Sequence, residues 1–235
     1  MKQLSSFIKV IRANRQAAIG MYLLLILVGF ALFGQWLIGD LPADYTNRLL
    51  GPSLQHPLGT DFTGRDTLLQ FILGTRDVVL IALFSGFFSI LIGMSIGIVA
   101  GFVGGATDKL LMFFTNVVLT IPSFPVLMAL SLVISAGNVL AFGFLLAIWN
   151  WAGLARSVRS QVMTLRGSEY IMASRLLGMS KGYMIRQDIL PSLIPYIAIN
   201  FVLIMRASVL ASVGLMLLGL APFKGEHWGI MLNLA

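Results

Sequence analysis

RGSEYIMASRLLGMSKGYMIRQDILP, residues 166–191, is a charged, polar segment between two long apolar runs. A helix needs about 20 apolar residues to cross the hydrocarbon layer of a bilayer. The chain has five candidate runs, which are Ala17–Ile38, Val78–Val103, Leu110–Ile134, Val139–Ala155 and Leu193–Leu220. The sequence therefore predicts an all-α integral membrane protein with five spans, the last two of which are joined by the stretch 166–191.

Composition agrees with that fold class. Of 235 residues, 58% are apolar and 11% are charged, whereas a soluble domain has roughly a quarter charged residues. The formal charge is +7, but the basic residues flank apolar runs, which is typical of membrane topology and not of nucleic-acid binding. The absence of cysteine excludes disulfides and thiolate metal sites, and His56 and His227 lie too far apart in sequence to suggest a metal site.

The distribution of charge predicts the orientation. The segment before Ala17 is basic without acids, and loop 156–188 has six basic residues against two acids. Loop 39–75 has two arginines against four aspartates. Because basic loops stay in the cytoplasm, the N-terminus is predicted to be cytoplasmic. The regions are then 1–38, the N-terminus and first helix; 39–77, an extracytoplasmic loop; 78–220, the membrane core with cytoplasmic loop 156–192; and 221–235, an extracytoplasmic segment.

Within the spans, small residues and prolines suggest where helices meet. Gly93, Gly97 and Gly101 recur every four residues, which favours a close packing seam, with a hinge as the alternative. Pro122 and Pro125 interrupt the third run, so this backbone should face protein or a cavity and not lipid. No predicted span has an acid in its interior, which counts against an ion-coupled secondary transporter. Neither a phosphate-binding loop nor a G-x-S-x-G motif occurs, which disfavours a membrane enzyme. A membrane scaffold without transport activity is a further alternative.

The first half of stretch 166–191 has the pattern of a short amphipathic helix. Gly167 or Ser168 can begin it, Glu169 suits its positive end, and Gly178 can stop it. Helical spacing places Ile171, Ser174 and Gly178 on one face. On these residues alone, the helix is either a docking element or a plain connector.

The stretch resembles the EAA loop of bacterial ABC importer permeases. Met172-Ala173-Ser174 occupies the triplet position, followed by Gly178 and by Leu190-Pro191 at the family spacing. Met172 replaces the glutamate of the triplet and Ser174 replaces an alanine, while Asp188 stands where an apolar residue is usual. The resemblance implies contact with an ATPase subunit through nine residues: Glu169, Tyr170, Met172, Ala173, Ser174, Leu177, Gly178, Leu190 and Pro191.

Two further segments resemble one group of these permeases. HPLGTDFTGRD, residues 56–66, is similar to the outer signature of peptide, opine and nickel importers, and AIWNWAGLARSVRSQV, residues 147–162, resembles the second, C-type permease subunit. The resemblance implies a type I importer bundle in the bacterial inner membrane, with a family sixth span expected beyond 221–235. The cargo would be peptides, nickel or a metal–opine chelate.

The resemblance also implies partners. These are a homologous second permease, two ATPase subunits that hold ATP and magnesium, and an extracytoplasmic binding protein, with no cofactor on this chain. The binding protein would face Gly59, Thr60, Asp61, Gly64, Arg65 and Asp66. The alternative is that these charges pin the loop to itself.

Arg206 is the one charge well inside a predicted span. An arginine at that depth costs roughly 3 kcal/mol on insertion scales, so it should face a partner helix or the pathway. We predict Arg206, Pro122 and Pro125 as candidate pathway residues, with a structural contact as the alternative for Arg206.

Overall fold

The computed structural model describes residues 14–131, 138–218 and 227–234. Helices dominate these residues and are numbered here α1 to α8. They are α1 Arg15–Ile38, α2 Thr67–Val103, α3 Gly105–Thr120, α4 Ser123–Ser131, α5 Val139–Arg166, α6 Glu169–Leu176, α7 Lys181–Leu217 and α8 Trp228–Leu234. Four of them are long and apolar enough to span a membrane, and the bent pair α3–α4 would make five. The predicted all-α architecture with five spans is confirmed.

The chain divides into two compact units at Val79. The first contains residues up to Val79 together with 224–235, and the second contains Leu80–Phe223. In the first unit, α1 begins at an Asn14 side chain that accepts hydrogen bonds from Gln16 and Ala17. Only Gly34 of α1 is buried, so nearly all of its apolar surface is free to contact lipid.

The predicted packing seam forms the centre of the second unit. A Cβ on Gly93, Gly97 or Gly101 would lie 2.7–2.8 Å from the carbonyl oxygens of Trp151, Ala155 and Arg159, respectively. The residue numbers of the glycines and of their carbonyl partners increase in the same direction, so α2 and α5 run parallel and cross the membrane in the same direction. The seam prediction is confirmed, and the contacts leave no space for a side chain at these three glycines.

The third predicted span, Leu110–Ile134, is not one straight helix. α3 ends at Thr120, Ile121 is extended with ψ 128°, and α4 begins at Ser123 after a bend of 78°. Pro122 causes the break, since a residue before proline avoids helical geometry. Pro125 lies in the first turn of α4, where proline is tolerated. The sequence predicts a tight turn at Ser135–Asn138 between the third and fourth spans. This turn lies mostly outside the described residues, although Asn138 caps α5.

Three helices extend beyond their predicted spans. α2 begins at Thr67 and not at Val78, α5 continues past Ala155 to Arg166, and α7 begins at Lys181, before Leu193. Hydropathy identifies only the part of a helix that lies in the hydrocarbon layer. The backbone hydrogen bonds of the same helix can continue beyond that layer into water. Where α2 and α5 end and α7 begins, these helices share one apolar cluster, which includes Phe102 of α2, Val162 of α5 and Ile189 of α7.

Candidate functional site

The short helix α6 is anchored at one residue. Ile171 is 0% exposed and belongs to the same apolar cluster as Val158, Val162 and Ile189. Of the three residues predicted to share one face, Gly178 is exposed, Ser174 is half-buried and Ile171 points into the bundle. Burial at this position fixes α6 to the ends of the long helices.

The outward surface of α6 has large apolar side chains and not only small ones. Leu176 is 89% exposed and Leu177 is 74% exposed, while Met172 and Tyr170 are about half exposed. Ala173 lies with them, Ser174 is half-buried, and Glu169 is exposed in the first turn. Such a patch at the end of a membrane protein is typical of a protein contact.

The end of α6 is set by Gly178. Its φ is +73°, and its N–H donates to the Arg175 carbonyl while the Met179 N–H donates to the Ser174 carbonyl. These two bonds form a Schellman motif, which favours glycine at the left-handed position. Ser168 precedes α6, but its hydroxyl donates to the Leu165 carbonyl and does not cap the helix.

A π-helical segment, Met184–Ile189, joins α6 to the apolar part of α7. Leu190 donates its N–H to the Ile185 carbonyl, five residues back. Pro191 has no N–H and would crowd a regular turn, so the wider ring relieves the backbone before it. Pro191 is exposed and Leu190 is half-buried, so the two predicted contact residues differ in access.

In loop 39–77, which is predicted to be extracytoplasmic and is called the outer loop, Asp61 is the centre of a hydrogen-bond network. Its carboxylate accepts bonds from the backbone of Thr63 and Arg65, from the Thr63 hydroxyl, and from the Gln70 amide at 2.9 Å. Burial raises the pKa of Asp61, but these hydrogen bonds outweigh it and hold the pKa below its ordinary 3.8. The ionised carboxylate thus stabilises the loop above about pH 4, and this contribution is lost as the pH falls further.

At two positive-φ glycines of the loop, a backbone carbonyl lies where a side chain would be. Gly59 has φ +75°, and a Cβ would lie 2.5 Å from the Leu50 carbonyl oxygen. Gly64 has φ +82°, and a Cβ would overlap the Asp44 carbonyl oxygen. Thr60, which is 7% exposed, donates its hydroxyl to the Asn47 carbonyl at 2.6 Å.

Asp66 connects this loop to α2. One carboxylate oxygen accepts the N–H groups of Leu68 and Leu69, which caps the helix, and the other lies 2.9 Å from Nδ1 of His56. The structure thus brings the predicted outer residues together in one network. Their internal bonds support the interpretation that the charges hold the loop to itself, and contact with a binding protein stays a prediction.

Among the candidate pathway residues, only Arg206 carries charge. It lies in α7, two residues before Ser208, and is exposed. Ser208 is buried, accepts a hydrogen bond from the Asn150 amide, and lies 2.7 Å from the Ser85 hydroxyl. This polar cluster joins α2, α5 and α7 inside the apolar spans. Pro122 and Pro125 are exposed at the α3–α4 bend, a different part of the chain from Arg206.

Comparison with known proteins identifies this arrangement. Residues 93–233 match the family described as "binding-protein-dependent transport system inner membrane component". The chain belongs to this family. Residues 2–57 match the N-terminal transmembrane domain of oligopeptide transport permease C, which confirms the resemblance to the C-type subunit. The chain is thus a multi-pass inner-membrane transport subunit.

The sequences of individual relatives align with most of the permease chain. It is 31% identical to the dipeptide transport system permease protein DppC of Bacillus subtilis, over 95% of this chain and 70% of that protein. It is 29% identical to the oligopeptide permease OppC of the same organism, over 94% and 73%. It is 32% identical to the glutathione permease GsiD of Pectobacterium atrosepticum, over 95% and 75%.

One contact in this permease has no signal in its sequence. Arg159 of α5 binds Asp108 of α3 with two parallel hydrogen bonds, of which the Nη2–Oδ2 bond is 2.6 Å. Nearby, Arg156 donates to the Asn116 side chain at 2.8 Å. In the sequence, both arginines contribute only to the positive charge of the predicted cytoplasmic loop. Their partners lie 40 and 51 residues away, so no local pattern indicates the pairing.

Proposed function

We propose that the permease forms half of the translocation pathway of a peptide importer, with ATP hydrolysis on separate subunits. Its relatives include permeases named for dipeptide, oligopeptide and glutathione transport. These names favour peptides among the predicted cargoes over nickel or metal–opine chelates. A second permease would supply the other half, and an extracytoplasmic binding protein would deliver the peptide to the outer loop.

The observation that carries the coupling proposal is the apolar outer surface of α6. Leu176 and Leu177 project from a helix at the predicted cytoplasmic end, where water would otherwise contact them. A few well-packed side chains that are shielded from water provide most of the binding energy of a protein interface. We infer that an ATPase subunit receives these two leucines together with Met172 and Ala173, in place of the glutamate contact of the family triplet.

The anchoring of α6 explains how the ATPase would move the spans. Ile171 is buried among the ends of α2, α5 and α7, and close-packed interiors move as units instead of deforming continuously. A displacement of α6 would therefore shift these three helices together. In this way closure of the ATPase pair changes which side of the membrane the pathway opens to.

Introducing charge on α6 tests the coupling. We expect Leu176→Glu with Leu177→Glu to abolish co-purification of the ATPase and to lower peptide uptake at least tenfold, since burial of an unpaired charge costs several kcal/mol. Both residues are exposed, so insertion and thermal stability should not change. Leu54→Glu, at a fully exposed outer-loop leucine, is the control for an added acid. Normal ATPase attachment by the double variant would show that α6 is only a connector.

Orientation is tested by single cysteines in this cysteine-free chain. We expect an impermeant thiol reagent to label Leu54→Cys in intact spheroplasts and to label Thr107→Cys only after permeabilisation. Leu54 lies in the outer loop, and Thr107 lies at the exposed beginning of α3. Labelling of Thr107→Cys in intact spheroplasts would reverse the topology.

A further inference from the structure

Arg206 is exposed on a face of α7 that is otherwise apolar. Its neighbours on that face include Val202, Leu203 and Leu210, each more than half exposed. Within residues 14–131, 138–218 and 227–234, Arg206 makes no hydrogen bond or ion pair. It lies 11 residues before the end of α7 at Leu217, or about 16 Å at 1.5 Å per residue. That is roughly half of a 30 Å hydrocarbon layer.

The exposed face of α2 provides a comparison within the same unit. Leu83, Phe87, Leu91 and Val99 line it at intervals of four or eight residues. The polar member of this face, Ser95, donates its hydroxyl to the Leu91 carbonyl and so presents no free polar group. A charge-free face of this kind is suited to lipid, whereas the α7 face is not, because its guanidinium would lose its hydration.

Arg206 has the geometry of a carboxylate receptor. Its guanidinium offers five N–H donors in a planar fork, of which a carboxylate accepts two at once. The acids of the described long helices are Asp77, Asp108 and Asp188, and none is bonded to Arg206. Peptides, by contrast, end in a carboxylate. The terminal carboxylate of a peptide and the guanidinium of Arg206 are therefore complementary in charge and shape.

We propose that the α7 face around Arg206 lines the aqueous translocation pathway and that Arg206 binds the terminal carboxylate of the peptide in transit. This inference rests on the proposed importer function. It assigns a specificity-determining residue to the pathway, and it predicts that water reaches this face of α7 but not the exposed face of α2.

Cysteine accessibility tests the location. Leu210 and Leu83 each lie two residues on the outer side of the hydrogen-bonded pair Ser208 and Ser85, so they are at matched depth on antiparallel helices. In the assembled complex, a water-soluble methanethiosulfonate should modify Leu210→Cys at least tenfold faster than Leu83→Cys. Equal, slow modification of both would overturn the aqueous location.

Substitution of the arginine tests the ligand. The measured quantity is the ratio of uptake of a free-carboxylate tripeptide to uptake of its C-terminal amide. We expect this ratio to be at least tenfold lower in Arg206→Gln than in the wild type, with Arg206→Lys intermediate. The same binding protein delivers both peptides to every variant, so its own preference cancels in that ratio. Leu83→Gln, a polar change at matched depth on the exposed face of α2, should leave the ratio unchanged.

The outcomes separate the two proposals. An unchanged ratio in Arg206→Gln overturns the carboxylate role, and failure of that variant to assemble would instead assign Arg206 to a contact with the second permease. If the wild-type complex takes up no peptide at all, the proposed importer function fails, whatever Arg206 does.

Discussion

Gly97→Leu is expected to prevent stable packing of α2 against α5 and to abolish transport. A Cβ at this position would lie 2.7 Å from both the Ala155 carbonyl oxygen and the Val158 Cβ. Neither atom belongs to the flexible end of a side chain, so the two backbones must separate. Overpacking of this kind costs typically 1–3 kcal/mol and occasionally more, and we expect about 3 kcal/mol or more here.

The matched control for this change is Gly153→Leu in α5. Gly153 is exposed, and a Cβ placed on it would have nothing within 4 Å, so the stability of the protein should change by no more than about 0.5 kcal/mol. Denaturation in mixed micelles gives the difference in unfolding free energy. The hinge interpretation of the glycine series predicts the reverse: stable folding of Gly97→Leu with loss of transport only.

Gly64→Ala is expected to disorganise the outer loop. The new Cβ would overlap the Asp44 carbonyl oxygen, and φ +82° is itself unfavourable for alanine, by about 1–2 kcal/mol. The loop cannot relieve this strain at one bond, because Asp61 and Asp66 tie the same segment to Gln70 and to His56. We expect external protease to cleave this loop at least tenfold faster and uptake to fall with it.

Gly51→Ala is the control for the loop. It lies in the same exposed segment, has no positive φ, and has nothing within 4 Å of a Cβ, so cleavage and uptake should match the wild type. If Gly64→Ala also matches the wild type, the internal network of the loop does not define its folded state.

Much of the architecture could be predicted from the sequence because it depends on local chemistry. Long apolar runs between basic and acidic segments determine five spans, whatever surrounds them. The spacing of Gly93, Gly97 and Gly101 indicates a close helix contact without naming its partner. The bend at Pro122 and the end of α6 at Gly178 follow likewise from the backbone restrictions of proline and glycine.

The candidate sites could be predicted only in part. The outer residues resemble a binding-protein contact in sequence, yet Asp61 and Asp66 direct their hydrogen bonds within the loop. The predicted contact residues of α6 include Leu177 but not Leu176, which is the most exposed large apolar side chain of the helix. Helical periodicity states which residues share a face but not which face a neighbouring element covers.

The sequence by itself determined which segments of this protein enter the membrane, where its helices break, and that Arg206 stands alone among apolar residues. The tertiary structure alone decided that Ile171 is an anchor, that α2 packs against α5, and that Arg159 binds Asp108. The physical reason is the distance along the chain over which each effect acts. Hydrophobicity and backbone restriction act within one turn or one span, whereas burial and ion pairing depend on residues that only folding brings together.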